Sequence, residues 1–189
     1  MSSTSTGKTV KFIGLITIIA GVLMIVAGGV TWGLVSSQLK AENITVAAVT
    51  KEAPGRLAGK PVAGPFTAYA QAGAIDFHAR AGADGRTYAE IGADATALKA
   101  KLTAGGATKE EVAANSEVMA LAATRTSTMN GSFLRASLFT SVVAFGVAAL
   151  VMGLGVLFAL LGFALTKVPT ATVVTSAPAT GAAPAGAKA

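Results

Sequence analysis

Two long apolar runs without a charged residue, Phe12–Val35 and Ser137–Leu165, bracket a segment that holds every acidic residue of the chain. A helix rises about 1.5 Å per residue, so about 20 apolar residues cross a hydrocarbon core about 30 Å thick. The runs have 24 and 29 residues, enough to span, the second with length left for tilt. Only 13% of the residues are charged, against about 25% in an average soluble protein. These constraints predict an all-α membrane protein, a two-transmembrane-helix hairpin with a mostly helical extracytoplasmic domain between the spans.

Orientation follows from the flanks. Lys8 and Lys11 precede the first run, Lys167 and Lys188 follow the second, and neither flank carries an acid. Short basic flanks stay in the cytoplasm, so both termini are expected inside the plasma membrane and the middle outside. The expected divisions are 1–10 as a disordered cytoplasmic N-terminus, 11–36 as the first span and 37–132 as the outer domain. The second span follows at 133–166, and 167–189 is expected to be a disordered Ala/Pro-rich tail, extended at Pro169, Pro178 and Pro184. Lys8, Lys11, Trp32, Arg135 and Lys167 are the expected interface anchors, with Phe133 and Phe139 near the outer interface. Arg135 is expected to snorkel to the outer headgroups. A cleaved signal peptide ending near Val35-Ser36-Ser37 is the competing reading, but 24 apolar residues exceed the roughly 7–15 of a signal h-region. The net charge of +6 calls for no nucleic-acid partner, because four of the lysines lie in the flanks that face anionic lipid.

Glycine spacing within the runs predicts company. Gly14, Gly21 and Gly28 recur every seven residues, with Gly29 and Gly33 beside them. In lipid, helices associate through close packing, and glycine lets backbones approach. A seven-residue repeat keeps one face in contact along a left-handed crossing. Gly146 and Gly153 form one such pair in the second run, and Gly155 and Gly162 form another. At about 100° per residue the two pairs lie on nearly opposite faces. One face can receive the first span, and the other is free for a second copy or a larger membrane complex.

The segment between the runs reads as helical. Ile44–Val49 is a short strand or extended chain, and Ala53–Gly64 a Gly/Pro loop. Pro65 suits a first helical position, Phe66, Tyr69, Ala70, Gly73, Phe77 and Ala81 recur at helical spacing, and Gly82 ends that helix. Thr87 with Glu90 and Thr108 with Glu111 are capping boxes that open two further helices. The first carries Ile91, Leu98 and Leu102 on one face, the second Val112, Met119 and Ala123. Without a proline between Thr108 and Leu165, the last helix is expected to run on into the second span, with a bend at Asn130-Gly131. Phe66, Tyr69, Phe77 and Tyr88 are expected in the core of this domain.

Chemistry fails on counting. There is no cysteine and one histidine, His78, with Asp76 nearby and Glu90 on another element. A facial-triad iron site takes two histidines and a carboxylate, and structural zinc takes four Cys or His ligands. No nucleophile elbow, Walker motif or dinucleotide fingerprint occurs. The expectation is no enzyme, no cofactor and no metal, with His78 a surface or packing residue. Intramembrane polar groups are limited to hydroxyls such as Thr17, Thr31, Thr140 and Ser141. They motivate an alternative, a homo-oligomeric channel whose subunits form the ring that two helices cannot close.

Three segments carry a resemblance: Lys11–Gly21 (KFIGLITIIAG), Leu57–Gln71 (LAGKPVAGPFTAYAQ) and Met129–Gly146 (MNGSFLRASLFTSVVAFG). They look like a family of small two-span actinobacterial membrane proteins whose members often carry the label "aromatic ring-opening dioxygenase, LigA". The likeness covers both spans and the loop from Leu57 to about Ile91. It implies an actinobacterial plasma-membrane location, and the iron ligands that ring opening requires are missing from this chain. The expected function is therefore that of a non-catalytic structural or accessory membrane protein.

Overall fold

The computed structural model describes residues 3–168, with side chains from Gly7 onward. The tail expectation beyond Val168 lies outside the described residues. Among the described residues five helices make up an all-α structure: α1 (Ser3–Ala41), α2 (Pro65–Ala81), α3 (Tyr88–Ala104), α4 (Lys109–Ala114) and α5 (Ser116–Lys167). Within α1 and α5, Gly7–Ala41 and Ser116–Lys167 are long and apolar enough to cross a membrane, and only 17% of the most apolar stretch of each is buried. A soluble core helix would bury that stretch; here Leu23, Val143, Leu150 and Leu160 point outward.

α1 begins at Ser3, inside the segment expected to be disordered through residue 10. Residues 3–11 contain no proline, so the helix nucleated by the apolar run extends backward at one hydrogen bond per added residue.

The chain divides into two compact units, one of the residues up to Leu23 and from Gly155 on, the other of Met24–Leu154. In the first, α1 and α5 touch backbone to backbone. A Cβ added at Gly14 would stand 2.8 Å from the Gly162 carbonyl oxygen, and one at Gly21 only 2.5 Å from that of Gly155 and 2.7 Å from the Ala159 nitrogen. Glycine is required at both places because the facing atoms are main chain.

In the second unit the same helices approach at Gly28, where a Cβ would meet Met152 Cγ at 2.6 Å and the Ala148 oxygen at 2.8 Å. One helical turn on, the Trp32 and Phe145 rings meet edge to face at 4.7 Å. Leu39, Leu138 and Phe145 then join Val46, Val62, Ala68 and Ala72 in the core of this unit. Val46 and Val62 come from an irregular segment tied by the isolated antiparallel bridge Thr45–Pro61. Val46 N–H donates to the Lys60 carbonyl and Gly59 N–H to the Val46 carbonyl. The stretch from Ile44 is thus extended chain rather than a strand in a sheet.

α2 starts at Pro65 and stops at Gly82, as its sequence predicts. Its buried face is Ala68, Gln71, Ala72 and Ala74, while Phe66 is 80% exposed and Tyr69 63%, with Phe77 also outside. The aromatic core expected on this helix is corrected. Interhelical distance is set by the side chains at the contact, and alanine lets α2 lie close to its neighbour where phenylalanine would hold it off.

α3 opens on its capping box and buries Ile91, with Leu98 and Leu102 half-buried behind it. The helix from Thr108 does not run on: Asn115 is extended at φ −65°, ψ 126°, and ends α4. Asn115 Oδ1 accepts from the N–H groups of Glu117 and Val118 at 3.0 and 3.2 Å, so it caps a new helix. This break turns Val112 and Val118 inward and leaves Met119 and Ala123 exposed, which corrects the face read across it. From Ser116 onward the expected continuity holds: α5 passes Asn130-Gly131 without interruption. Gly131 is a point of close approach, since a Cβ there would stand 3.0 Å from Ala79 Cβ on α2.

Candidate functional site: the glycine faces and the charged rim of α2

The glycines separate into two classes. Gly14, Gly21, Gly28 and Gly162 face the other long helix at sub-van-der-Waals distance for any added Cβ, and the Gly155 carbonyl is one of the atoms met. Gly29, Gly33, Gly146 and Gly153 face open space, with nothing within 4 Å. Sequence spacing assigned two small faces to α5, and the geometry identifies Gly155 and Gly162 as the pair spent on α1.

The expected anchors fall in different surroundings. Lys8 and Lys11 are exposed near the start of α1, and Lys167, in the last turn of α5, holds Nζ 5.3 Å from the Phe163 ring centre. Trp32 is half-buried against Phe145. Arg135 does not simply snorkel: its Nη1 lies 2.9 Å from Asp76 Oδ1, which also receives Arg80 Nε at 3.3 Å. Asp76 is reachable because α2 packs against α5 at Ala79 and Gly131, one turn away. Arg135 Nε is buried without a hydrogen-bond partner.

Around this pair lies a cleft of about 270 Å³, with Asp76, Arg80, Arg86, Tyr88, Ser132 and Arg135 on its walls. Arg86 bonds both Asp84 and Asp94 at 3.2 Å. Every guanidinium here faces a carboxylate, so the cleft braces α2, α3 and α5 and offers no uncompensated charge. The Arg125 guanidinium stacks 4.2 Å from the Tyr88 ring centre, and its Nε would stand 3.2 Å from a Cβ on Gly92. Tyr88, expected in the core, is a shelf for this cation instead.

His78, Gln71 and the two capping glutamates each make bonds within the fold. His78 Nε2 lies 2.8 Å from the Ala48 carbonyl oxygen, a contact that requires Nε2 to carry the proton. Gln71 Oε1 accepts from Ala47 N–H at 2.7 Å, so two α2 side chains tether the extended segment. The Glu90 carboxylate accepts from the Thr87 N–H and hydroxyl at 2.7 and 2.8 Å. These bonds, the backbone one foremost, hold its pKa below the ordinary value of 4.5. Glu111 is lowered in the same way by Thr108. Among the described residues no three His, Cys, Asp or Glu side chains are grouped to hold a metal. Thr17, Thr31, Thr140 and Ser141 each donate to the carbonyl four residues back in their own helix.

Sequence reasoning missed the Asp76–Arg135 pair and the Asn115 cap. The i,i+4 spacing of Asp76 and Arg80 was a readable signal for one arm of the pair. Nothing local announces Arg135, 59 residues on. Comparison of the chain with protein-family models, curated proteins and solved structures finds no match.

Proposed function

We propose that this is a non-catalytic accessory membrane protein of the plasma membrane, a two-span hairpin with both termini cytoplasmic and Ser36–Ala136 outside. In this reading it works by self-association or by docking into a larger membrane complex through the glycine-lined helix faces that its own fold leaves open. The observation that carries it is the division of glycines: Gly14, Gly21, Gly28 and Gly162 are consumed within the chain, and Gly29, Gly33, Gly146 and Gly153 are not. In lipid there is little hydrophobic drive between helices, so exposed small residues are where another helix gains dispersion contacts. The similarity of three segments to small actinobacterial two-span proteins belongs to the same reading. The channel alternative draws no support from the hydroxyls, all four of which are turned onto their own backbones.

The test is purification in mild detergent or nanodiscs. A multimer or a co-purifying subunit is expected, lost when Gly146→Leu and Gly153→Leu are combined and retained in a conservative Gly→Ala pair. A clean monomer without partners at every concentration overturns the proposal.

A further inference from the structure

α2 is polarised along its length. Pro65–Ile75 holds no charge and carries Phe66 and Tyr69, whereas Asp76, His78 and Arg80 occupy its last turns. Its contacts fix its level along α5, whose apolar run begins at Ser137. The Tyr69 ring meets that of Phe139, two residues inside the run, with centres 5.9 Å apart. Ala68 and Ala72 belong to the core cluster that also holds Leu138 and Phe145, one and eight residues inside. Asp76 pairs with Arg135, two residues outside, and Ala79 meets Gly131, six outside. α1 supplies a second marker: Ser36, the first residue past its apolar run, donates its hydroxyl to the Ala63 carbonyl at 2.7 Å, just ahead of α2. The uncharged end of α2 is therefore level with the ends of both apolar runs, and its charged end lies beyond them.

We infer that the first two turns of α2 are seated in the outer leaflet, with Phe66 and Tyr69 facing lipid at the headgroup boundary. The inference rests on the two-span reading above and adds a third, partial membrane element to it. The occupant follows from continuity. Phe139 and Val143, exposed on α5, belong to a stretch that only hydrocarbon can cover in that reading, and Tyr69 leans on Phe139. Aromatic side chains favour this depth, where a ring meets acyl chains and a hydroxyl such as that of Tyr69 reaches water. A helix held against the protein by alanines and turned outward by aromatics suits a lipid-facing position better than the core of a soluble domain.

The chain lacks cysteine, so single spin labels report depth directly in liposomes. Labels at Phe66→Cys and Tyr69→Cys are expected to collide with oxygen in preference to a water-soluble nickel chelate, as at Val143→Cys. A label at Ala81→Cys, at the far end of α2, is expected to show the reverse preference. Chelate access at Phe66→Cys equal to that at Ala81→Cys, with Val143→Cys still lipid-like, overturns this inference and leaves the two spans standing. Shielding from both reagents, with dipolar broadening that vanishes on dilution with unlabelled protein, also overturns it by putting a second copy on the face. Chelate access at Val143→Cys removes the two-span reading and this inference together.

Discussion

At single residues, glycine decides whether a position belongs to the fold or to its surroundings. At Gly21 the space for a side chain is filled by the Gly155 oxygen and the Ala159 nitrogen, and main-chain atoms cannot rotate away. Gly21→Leu should therefore force α1 and α5 apart at a cost of about 1–3 kcal/mol, as other overpacked contacts do. Thermal unfolding or protease resistance in detergent reads that loss. Gly29→Leu, next to open space within the chain, should leave the unfolding of the isolated monomer unchanged. The seven-residue spacing made the glycine rows visible in sequence, but it could not say which of the two α5 rows meets α1. That choice depends on helix rotation, which single-sequence periodicity leaves free. The same limit hid the Asp76–Arg135 pair, which exists because α2 and α5 meet at Ala79 and Gly131. Asp76→Asn should destabilise by no more than about 1 kcal/mol, since both side chains are about a third exposed and water screens such pairs. A double-mutant cycle with Arg135→Gln measures the coupling.

At the level of elements, the helix starts were the most readable part of the chain because their signals are local. Both Thr-x-x-Glu boxes form as their spacing predicts, with the carboxylate bound to the cap residue's N–H and hydroxyl. These bonds favour the ionised form, so the folded pKa values of Glu90 and Glu111 lie below their unfolded ones. The linked stabilisation is therefore present above the unfolded value and disappears as pH falls through the folded one. Amide exchange at Thr87 and Thr108, corrected for its intrinsic pH dependence, should speed up below the ordinary glutamate value of 4.5. Glu90→Gln and Glu111→Gln should each remove this pH dependence at their own helix. The Asn115 cap went unread because Val118, not Glu or Gln, stands three residues later, so no box marks it. Asn115→Ala should cost about 1 kcal/mol, seen as faster exchange at Glu117 and Val118, the two amides it caps.

Across the whole molecule, the two long apolar helices were legible because length and the absence of charge are sufficient to identify them. The aromatic face of α2 was misread for a physical reason: helical periodicity shows that Phe66, Tyr69 and Phe77 share one side of the helix, not whether protein or lipid covers that side. In a soluble domain the larger apolar side chains take the core; next to a bilayer, alanine can take the protein side and the aromatics the other. Topology is the premise on which that inversion depends, and it is testable without disturbing packing. Lys8 and Ala107 fall on opposite sides of the membrane in the proposed arrangement, one exposed near the start of α1 and one, half-buried, between α3 and α4. With no native thiol, Ala107→Cys should react with a membrane-impermeant maleimide on intact cells, and Lys8→Cys only after the membrane is opened. Reaction of both on intact cells, or of Lys8→Cys alone, contradicts the orientation derived from the basic flanks. It would leave the glycine contacts between α1 and α5 untouched, since those depend on backbone approach and not on which side of the bilayer each end occupies.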